Sequence, residues 1–294
     1  MLHSGDTVAL VCCSNGQSEN CRKQNQQLCK VLESFGLVVW ESPYLYAGET
    51  LFPADARTRA AILMDCYRNQ TIRAIFDISG GDIANEILDF LDFSVIGSNP
   101  KPLFGYSDLT CLLHAVYTMT GQSSFLYQIK NLVKQDAQRQ KERFYRTLFE
   151  GKRDLFEAQF HFFQGDHMSG TVVGGNARCL LKLSGTPFWP DFSGKLLFLE
   201  AFGGGAAQIT DYFSHFRQLG VFQKVQGILL GTFTNLEQSG EKPGIEELIL
   251  RFTDSRIPIA KTGQVGHGAD SRCLLIGGEI ALNGSRQSPQ YPGG

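Results

Sequence analysis

From Thr7 to Thr118 short apolar runs alternate with stretches whose apolar residues recur every three or four positions. Thr7 to Cys13 predicts a strand that ends at the turn Ser14-Asn15-Gly16. Leu28, Val31, Leu32 and Phe35 then fall on one helical face, with Gly36 as the stop. Leu37 to Trp40 predicts a second strand. Pro53 opens a helix running to about Tyr67, since proline is tolerated in a first turn. Ile72 to Ile78 reads as a third strand ending in Ser79-Gly80-Gly81-Asp82, before a helix with Ile83, Ile87, Leu88 and Leu91 on one side. Leu103 to Tyr106 is a fourth strand and Leu109 to Thr118 its helix. Strand, turn and helix in repetition mean parallel βαβ units and an open α/β sheet.

The pattern changes after residue 134. Gln135 to Phe156 predicts a charge-rich amphipathic helix, and Gln159 to Ser169 reads as aromatic and irregular, a connection between two domains. Beyond it, strands are predicted at Gly170 to Val173, Lys195 to Glu200, Val225 to Leu230 and Cys273 to Ile276. Helices are expected from Asn176, from Ala206 to Leu219 and from Gly244 to Phe252. The tail from Ser285 to Gly294 has little to bury and reads as frayed. The division expected is 1–134, a connector over 135–169, and 170–294, with no internal repeat.

Composition narrows the class. The 294 residues are 43% hydrophobic and 19% charged, enough for a substantial core. Lys and Arg number 27 against 29 Asp and Glu, a net charge of -2, which argues against a nucleic-acid or membrane-surface partner. Runs such as Leu196 to Leu199 fall far short of the roughly 20 residues of a spanning helix. Met1 to Asp6 lacks the cationic start of a signal peptide. Eight cysteines without a CxxC pair read as free thiols in a reducing compartment, the cytoplasm.

Ligands of α/β sheets bind beyond the carboxyl ends of the strands, so chemistry is sought there. Phe104-Gly105-Tyr106-Ser107-Asp108-Leu109-Thr110 puts a serine on a strand-to-helix turn, with the next backbone N–H groups at a helix start that suits an oxyanion. Taken alone, the segment is better explained by Ser107 or Asp108 capping the helix. Glu200 closes the apolar run Lys195 to Leu199, where a carboxylate needs a partner if buried; an ordinary surface acid reads equally well. His267 lies between glycines in Gly263-Gln264-Val265-Gly266-His267-Gly268-Ala269-Asp270, although a single loop histidine is more often structural or solvated. Nucleophile, carboxylate and base in the order Ser, Glu, His would have to meet in space, and spacing alone does not decide it.

These segments and their surroundings resemble the LD-carboxypeptidase family of serine peptidases, which includes microcin C self-immunity proteins. The likeness covers Ser4 to Leu10, Ile75 to Asp92 with Gly80-Gly81, Asn99 to Thr110, Gly174-Gly175-Asn176, Gly185-Thr186-Pro187, Leu197 to Glu200 and Gly266-His267-Gly268. The resemblance implies an α/β fold: an N-terminal Rossmann- or flavodoxin-like parallel-sheet domain and a smaller C-terminal β-rich α+β domain. It implies Ser107 as nucleophile, His267 as general base and Glu200 as its orienting acid. It also implies oxyanion or substrate contacts from Gly80, Gly81, Asp82, Asp108 and Asn176. No metal or cofactor is implied, and a homodimer is. The expected reaction is hydrolysis of an L-diamino-acid–D-alanine bond in muropeptides. Two alternatives stand beside it: cleavage of peptidyl-nucleotides, and a non-catalytic protein that binds muropeptides. For the nucleotide reading Phe188 or Trp189 would offer a stacking surface, although Gly185 to Pro190 reads more simply as a packed turn. The chain departs from the family's usual pattern at Ser79, Asp82 and Ala201, which points to a pocket of its own specificity.

Overall fold

A computed structural model describes residues 1–135, 137–284 and 286–290. Its first half runs β1 (Thr7–Val11), α1 (Arg22–Ser34), β2 (Val38–Glu41), α2 (Ala56–Arg68), β3 (Ile72–Asp77), α3 (Phe93–Ser98), β4 (Leu103–Gly105), α4 (Thr110–Thr120) and β5 (Ser124–Leu126). Helix α1 buries Leu28, Val31 and Leu32. Helix α2 starts later than Pro53 suggests, because the Asp55 side chain accepts the Thr58 N–H at 2.8 Å and fixes the start at Ala56. The segment expected as a helix around Ile83 to Leu91 is instead a 3-10 helix over Ala84–Phe90.

The second half contains α5 (Ala137–Leu148), β6 (His161–Gln164), β7 (His167–Asn176), α6 (Ala177–Leu181), β8 (Leu196–Ala201), α7 (Ala206–Gln218) and β9 (Gly227–Phe233). It continues through α8 (Thr234–Ser239), α9 (Ile245–Leu250), β10 (Ile259–Lys261), β11 (Leu274–Ile276), β12 (Glu279–Asn283) and β13 (Arg286–Gln290). Helix α5 is shorter than its charge pattern suggests: it ends at Leu148, and Gly151 then takes φ +67°, which turns the chain away. The stretch from Gln159 to Ser169 is not irregular. It holds β6, antiparallel to β10, and the start of β7. Within the tail expected to fray, Arg286–Gln290 pairs with β12, while Ser285 and residues 291–294 lie outside the described residues.

Two sheets result. The first has the order β11-β5-β4-β3-β1-β2, in which β2, β1, β3, β4 and β5 are parallel and β11 adds antiparallel to β5. The parallel part has the flavodoxin-like order 2-1-3-4-5, with its switch point between β1 and β3. The second sheet has the order β13-β12-β7-β8-β9-β10-β6, and its four central strands β7 to β10 are parallel. One apolar core runs through both halves and joins Leu109, Cys111 and Leu112 to Cys179, Leu183 and Val265. Strand β11 also carries the chain from the second half back into the first sheet. The carboxyl ends of β3 and β4 are thereby held against those of β7 and β8.

Candidate active site

The strand-to-helix turn after β4 is tight. A methyl group on Gly105 would lie 2.7 Å from Leu109 Cβ, so only glycine lets the chain fold back this closely. Ser107 follows with φ +57°, the one non-glycine residue in the left-handed region among the described residues. That conformation is costly for serine and is kept only where the surroundings enforce it. Ser107 opens a short 3-10 turn, Ser107–Leu109, that leads into α4. Its hydroxyl has no hydrogen-bond partner among the described residues and lines a cleft of about 190 Å³.

The turn is held from below by Asp108, which is wholly buried. Its Oδ2 accepts from Ser14 Oγ at 2.7 Å and Ala84 N at 2.8 Å, and its Oδ1 pairs with Lys182 Nζ at 2.5 Å. The loop after β3 packs alongside. A methyl group on Gly80 would sit 4.0 Å from Ser107 Cβ. Gly81 packs against the Asn15 side chain so closely that a Cβ would overlap it. Arg178 Nη2 donates to Gly81 O at 2.9 Å, and Arg178 Nη1 pairs with Asp82 Oδ1 at 2.5 Å. The Asp82 N–H donates to Asn15 Oδ1 at 2.9 Å and its side chain is exposed. Asp82 is therefore engaged elsewhere, while Gly80 lies against Ser107 and Asp108 follows the serine in the 3-10 turn.

Glu200 sits near the end of β8, and its register partner on β7 is Asn176. That pairing explains their contact: Asn176 Nδ2 donates to Glu200 Oε1 at 2.9 Å. The Asn176 Oδ1 meanwhile caps α6 by accepting from Cys179 N. The second carboxylate oxygen, Glu200 Oε2, lies 2.8 Å from His267 Nδ1. With Nδ1 donating to the carboxylate, Nε2 is the imidazole's acceptor. Glu200 is buried and His267 only 17% exposed. The imidazole plane is held by the edge of Tyr106, ring centroids 5.1 Å apart, and by Phe202 at 4.9 Å. The Tyr106 hydroxyl lies beside Glu200 and Ser271 without a hydrogen bond of normal geometry. Burial, then the Glu200 charge, push the phenol well above its ordinary pKa.

His267 lines the same cleft as Ser107, together with Ser79, Gly80, Tyr106, Gln128, Lys130, Asn131, Lys134 and Gly266. Of the residues singled out from sequence, Ser107, Gly80 and His267 meet there, Glu200 and Asn176 stand behind the histidine, and Gly81, Asp82 and Asp108 brace the serine turn. Two supporting groups leave no mark in the local sequence. Gln140 on α5 donates from Nε2 to Ala269 O and Ser271 O, both at 2.9 Å, and so fastens the His267 loop. His114 on α4 bonds Thr110 O through Nδ1 at 2.9 Å and accepts the Gly174 N–H at Nε2 at 2.8 Å. Burial lowers its pKa to about 4, so it stays neutral as a bridge between α4 and β7. Phe188 and Trp189 belong to the core rather than to the cleft: Phe188 packs on Phe93, and Trp189 on Phe192 and Phe216. The cysteines are free thiols, with only Cys21 not buried. Among the described residues no group of His, Cys, Asp and Glu side chains could hold a metal ion, and no helix is long and apolar enough to cross a membrane.

The family profile of the LD-carboxypeptidase N-terminal domain matches residues 8–127, and that of the LD-carboxypeptidase C-terminal domain matches residues 169–282. The chain belongs to the LD-carboxypeptidase family. Its relatives include a putative carboxypeptidase of Treponema pallidum, 27% identical over 98% of this chain and 92% of the relative. A probable murein peptide carboxypeptidase of Bacillus subtilis is 28% identical over 96% and 90%. The microcin C7 self-immunity protein MccF of Escherichia coli is 27% identical over 77% and 76%. The fold also matches the structure of MccF in complex with glutamyl sulfamoyl guanosine, with a TM-score of 0.89 over 99% of this chain and 98% of that one at 22% identity. The muramoyltetrapeptide carboxypeptidase from Oxalobacter formigenes matches with a TM-score of 0.80 over 97% and 99% at 23% identity. As a member of this family the protein is a peptidase of the carboxypeptidase type with a two-part α/β fold.

Proposed function

We propose that this LD-carboxypeptidase family member removes the terminal D-alanine of muropeptides by hydrolysing an L-diamino-acid–D-alanine bond. Ser107 acts as nucleophile, His267 as general base and Glu200 as the acid that orients it. The observation that carries this reading is the left-handed backbone of Ser107 on the β4–α4 turn, in one cleft with an imidazole whose Nδ1 is committed to Glu200. His267 Nε2 takes the Ser107 proton as Oγ attacks the carbonyl carbon of the diamino acid. The oxyanion forms beside the N–H groups of Gly80 and Asp108. The histidine then gives its proton to the leaving nitrogen, D-alanine departs, and water attacks the acyl-enzyme with His267 again as base. A serine not yet bonded to its histidine is common before substrate binds. The eight free thiols suit a cytoplasmic place of action. The same reading includes a homodimer, which light scattering tests.

Release of free D-alanine from an L-lysyl-D-alanine tetrapeptide, measured for wild type beside Ser107→Ala, tests the reaction. Release by wild type with a loss on the order of 10⁴-fold or more in the variant is expected. Equal release by both would overturn the nucleophile, and a wild-type protein that binds the peptide without cleaving it would make this a sensor of wall fragments. A second reading is cleavage of peptidyl-nucleotides. The half-exposed ring of Phe202 against His267 favours it, since that ring offers a face to a base. Hydrolysis of a peptidyl-adenylate analogue in preference to the muropeptide would select it.

A further inference from the structure

The cleft contains two cations that the catalytic reading does not use. Lys130 lies on the 3-10 turn Ile129–Val133 that follows β5, and Lys134 comes directly after that turn. Strand β5 neighbours β4 with Leu126 paired to Gly105, so whatever follows β5 arrives beside Ser107 at the same carboxyl edge. Both ammonium-bearing side chains line the cavity that Ser107 and His267 line. Lys130 Nζ donates to Gln17 Oε1 at 2.6 Å, and neither lysine is paired with a carboxylate among the described residues. The acid that acts on Lys130 from a distance, Asp77, is buried and held by Cys13 and Ser79. Burial draws both lysines below their ordinary pKa, and for Lys134 the charge of Lys130 adds to the effect. Two partly desolvated cations around one small space are stabilised by an anion placed between them.

Asn131 adds a second, independent sign. Its side chain is 1% exposed, it lines the cavity, and its Oδ1 has no hydrogen-bond partner. A buried acceptor left open calls for a donor from a ligand. The cavity's 190 Å³ is below the roughly 300 Å³ at which sites for drug-sized ligands begin, and suits a single small residue.

We propose that Lys130 and Lys134 form the subsite that holds the free carboxylate of the residue to be released, with Asn131 Oδ1 accepting that residue's amide N–H. This rests on the peptidase reading and extends it: an enzyme that removes one terminal residue must detect the chain end, and the carboxylate is what distinguishes an end from an interior bond. The cation pair performs that measurement one residue beyond Ser107.

The experiment compares kcat/KM for N-acetyl-L-lysyl-D-alanine and its C-terminal amide in wild type, Lys130→Met, Lys134→Met and the corresponding arginine variants, each checked for its melting transition. Wild type should prefer the acid on the order of 10- to 100-fold. Either methionine variant should lose most of that preference through activity on the acid alone, and either arginine variant should keep most of it. Equal rates of wild type on acid and amide, or an intact preference in both methionine variants, would overturn the subsite. If wild type cleaves neither peptide, the peptidase reading fails separately. The subsite is then decided by calorimetric titration with N-acetyl-D-alanine and N-acetyl-D-alaninamide. Binding of the acid alone that is lost in the methionine variants supports the subsite, and any other result rejects it.

Discussion

In the proposed mechanism Asn176 acts on the reaction without entering it. Glu200 is buried and has two anchors, the His267 Nδ1–H and the Asn176 amide. Replacing Asn176 with alanine removes one of them and leaves a buried carboxylate under-satisfied and free to turn away from the imidazole. A Glu200 that has turned no longer holds the imidazole in the orientation and tautomer with a free Nε2. For Asn176→Ala we expect kcat to fall on the order of 10- to 100-fold, about 1.4 to 2.7 kcal/mol of barrier, with KM nearly unchanged. Asn176→Asp should be worse, since it sets a second carboxylate against the first. A kcat within twofold of wild type at every pH would show that Glu200 does not depend on this contact. The sequence alone left this role open: Asn176 stood in the Gly-Gly-Asn segment as a candidate for the substrate, and only the parallel register of β7 on β8 puts it opposite Glu200.

At the scale of elements, a helix and a strand are tied by one neutral histidine. His114 bonds within α4 at one ring nitrogen and accepts a strand N–H from β7 at the other, so protonation would break the second bond. Burial lowers its pKa from 6.5 to about 4 in the folded chain. The unfolded chain therefore binds the proton more readily between these values. The stabilisation is fully present above pH 6.5 and is lost as pH falls toward 4. Between pH 7 and pH 5 the loss is about 2 kcal/mol. Urea unfolding at the two pH values should show it in wild type and not in His114→Leu, which should start lower at pH 7 because the Gly174 N–H is orphaned. Asp77, raised by burial, shifts stability in the opposite direction and cancels between the two proteins. An equal pH response in both would remove His114 as the cause.

The same scale shows what periodicity reveals and what it hides. The βαβ succession through α4 was legible because each buried strand is a short apolar run and each helix carries an apolar stripe. The edge strand β6, the three-residue β5 and β10, and the closing hairpin of β12 and β13 were not, since they are too short or too one-sided to show a period of two. Helix α5 read as a connector from its charges, whereas its buried Gln140 fastens the His267 loop from more than a hundred residues away. Contacts of that range leave no local pattern. Ser107, Glu200 and His267 stood out because each sits in a short motif at a strand end or between glycines, yet it was their joint resemblance to one family, not spacing, that grouped them.

At the scale of the molecule, the two halves meet through charge as well as core. Lys182, just beyond α6, pairs with the buried Asp108 under the serine turn and also donates to Asp82 O at 2.7 Å, while Arg178 pairs with Asp82. Asp108 is completely inaccessible and Lys182 19% exposed, so the pair is desolvated on the acid's side. Removing one partner of such a pair costs more than the pair contributes, because the remaining charge is left in a low dielectric. Asp108 keeps the Ser14 hydroxyl and the Ala84 N–H in the absence of the lysine, which softens the loss. Lys182→Met is accordingly expected to lower the free energy of unfolding by about 3 kcal/mol. Asp108→Asn alone should also cost stability, because an amide cannot accept at both positions. The double variant should be more stable than the sum of the single losses predicts, by about 1 kcal/mol or more, since neither charge then stands alone. A double-mutant cycle by urea unfolding gives the coupling directly. Activity adds an independent reading: if the pair sets the height of the Ser107 turn against the second sheet, the double variant recovers stability but not kcat. Recovery of both would mean that the ion pair holds the halves together without positioning Ser107. Strict additivity of the two losses would mean that Asp108 and Lys182 act separately.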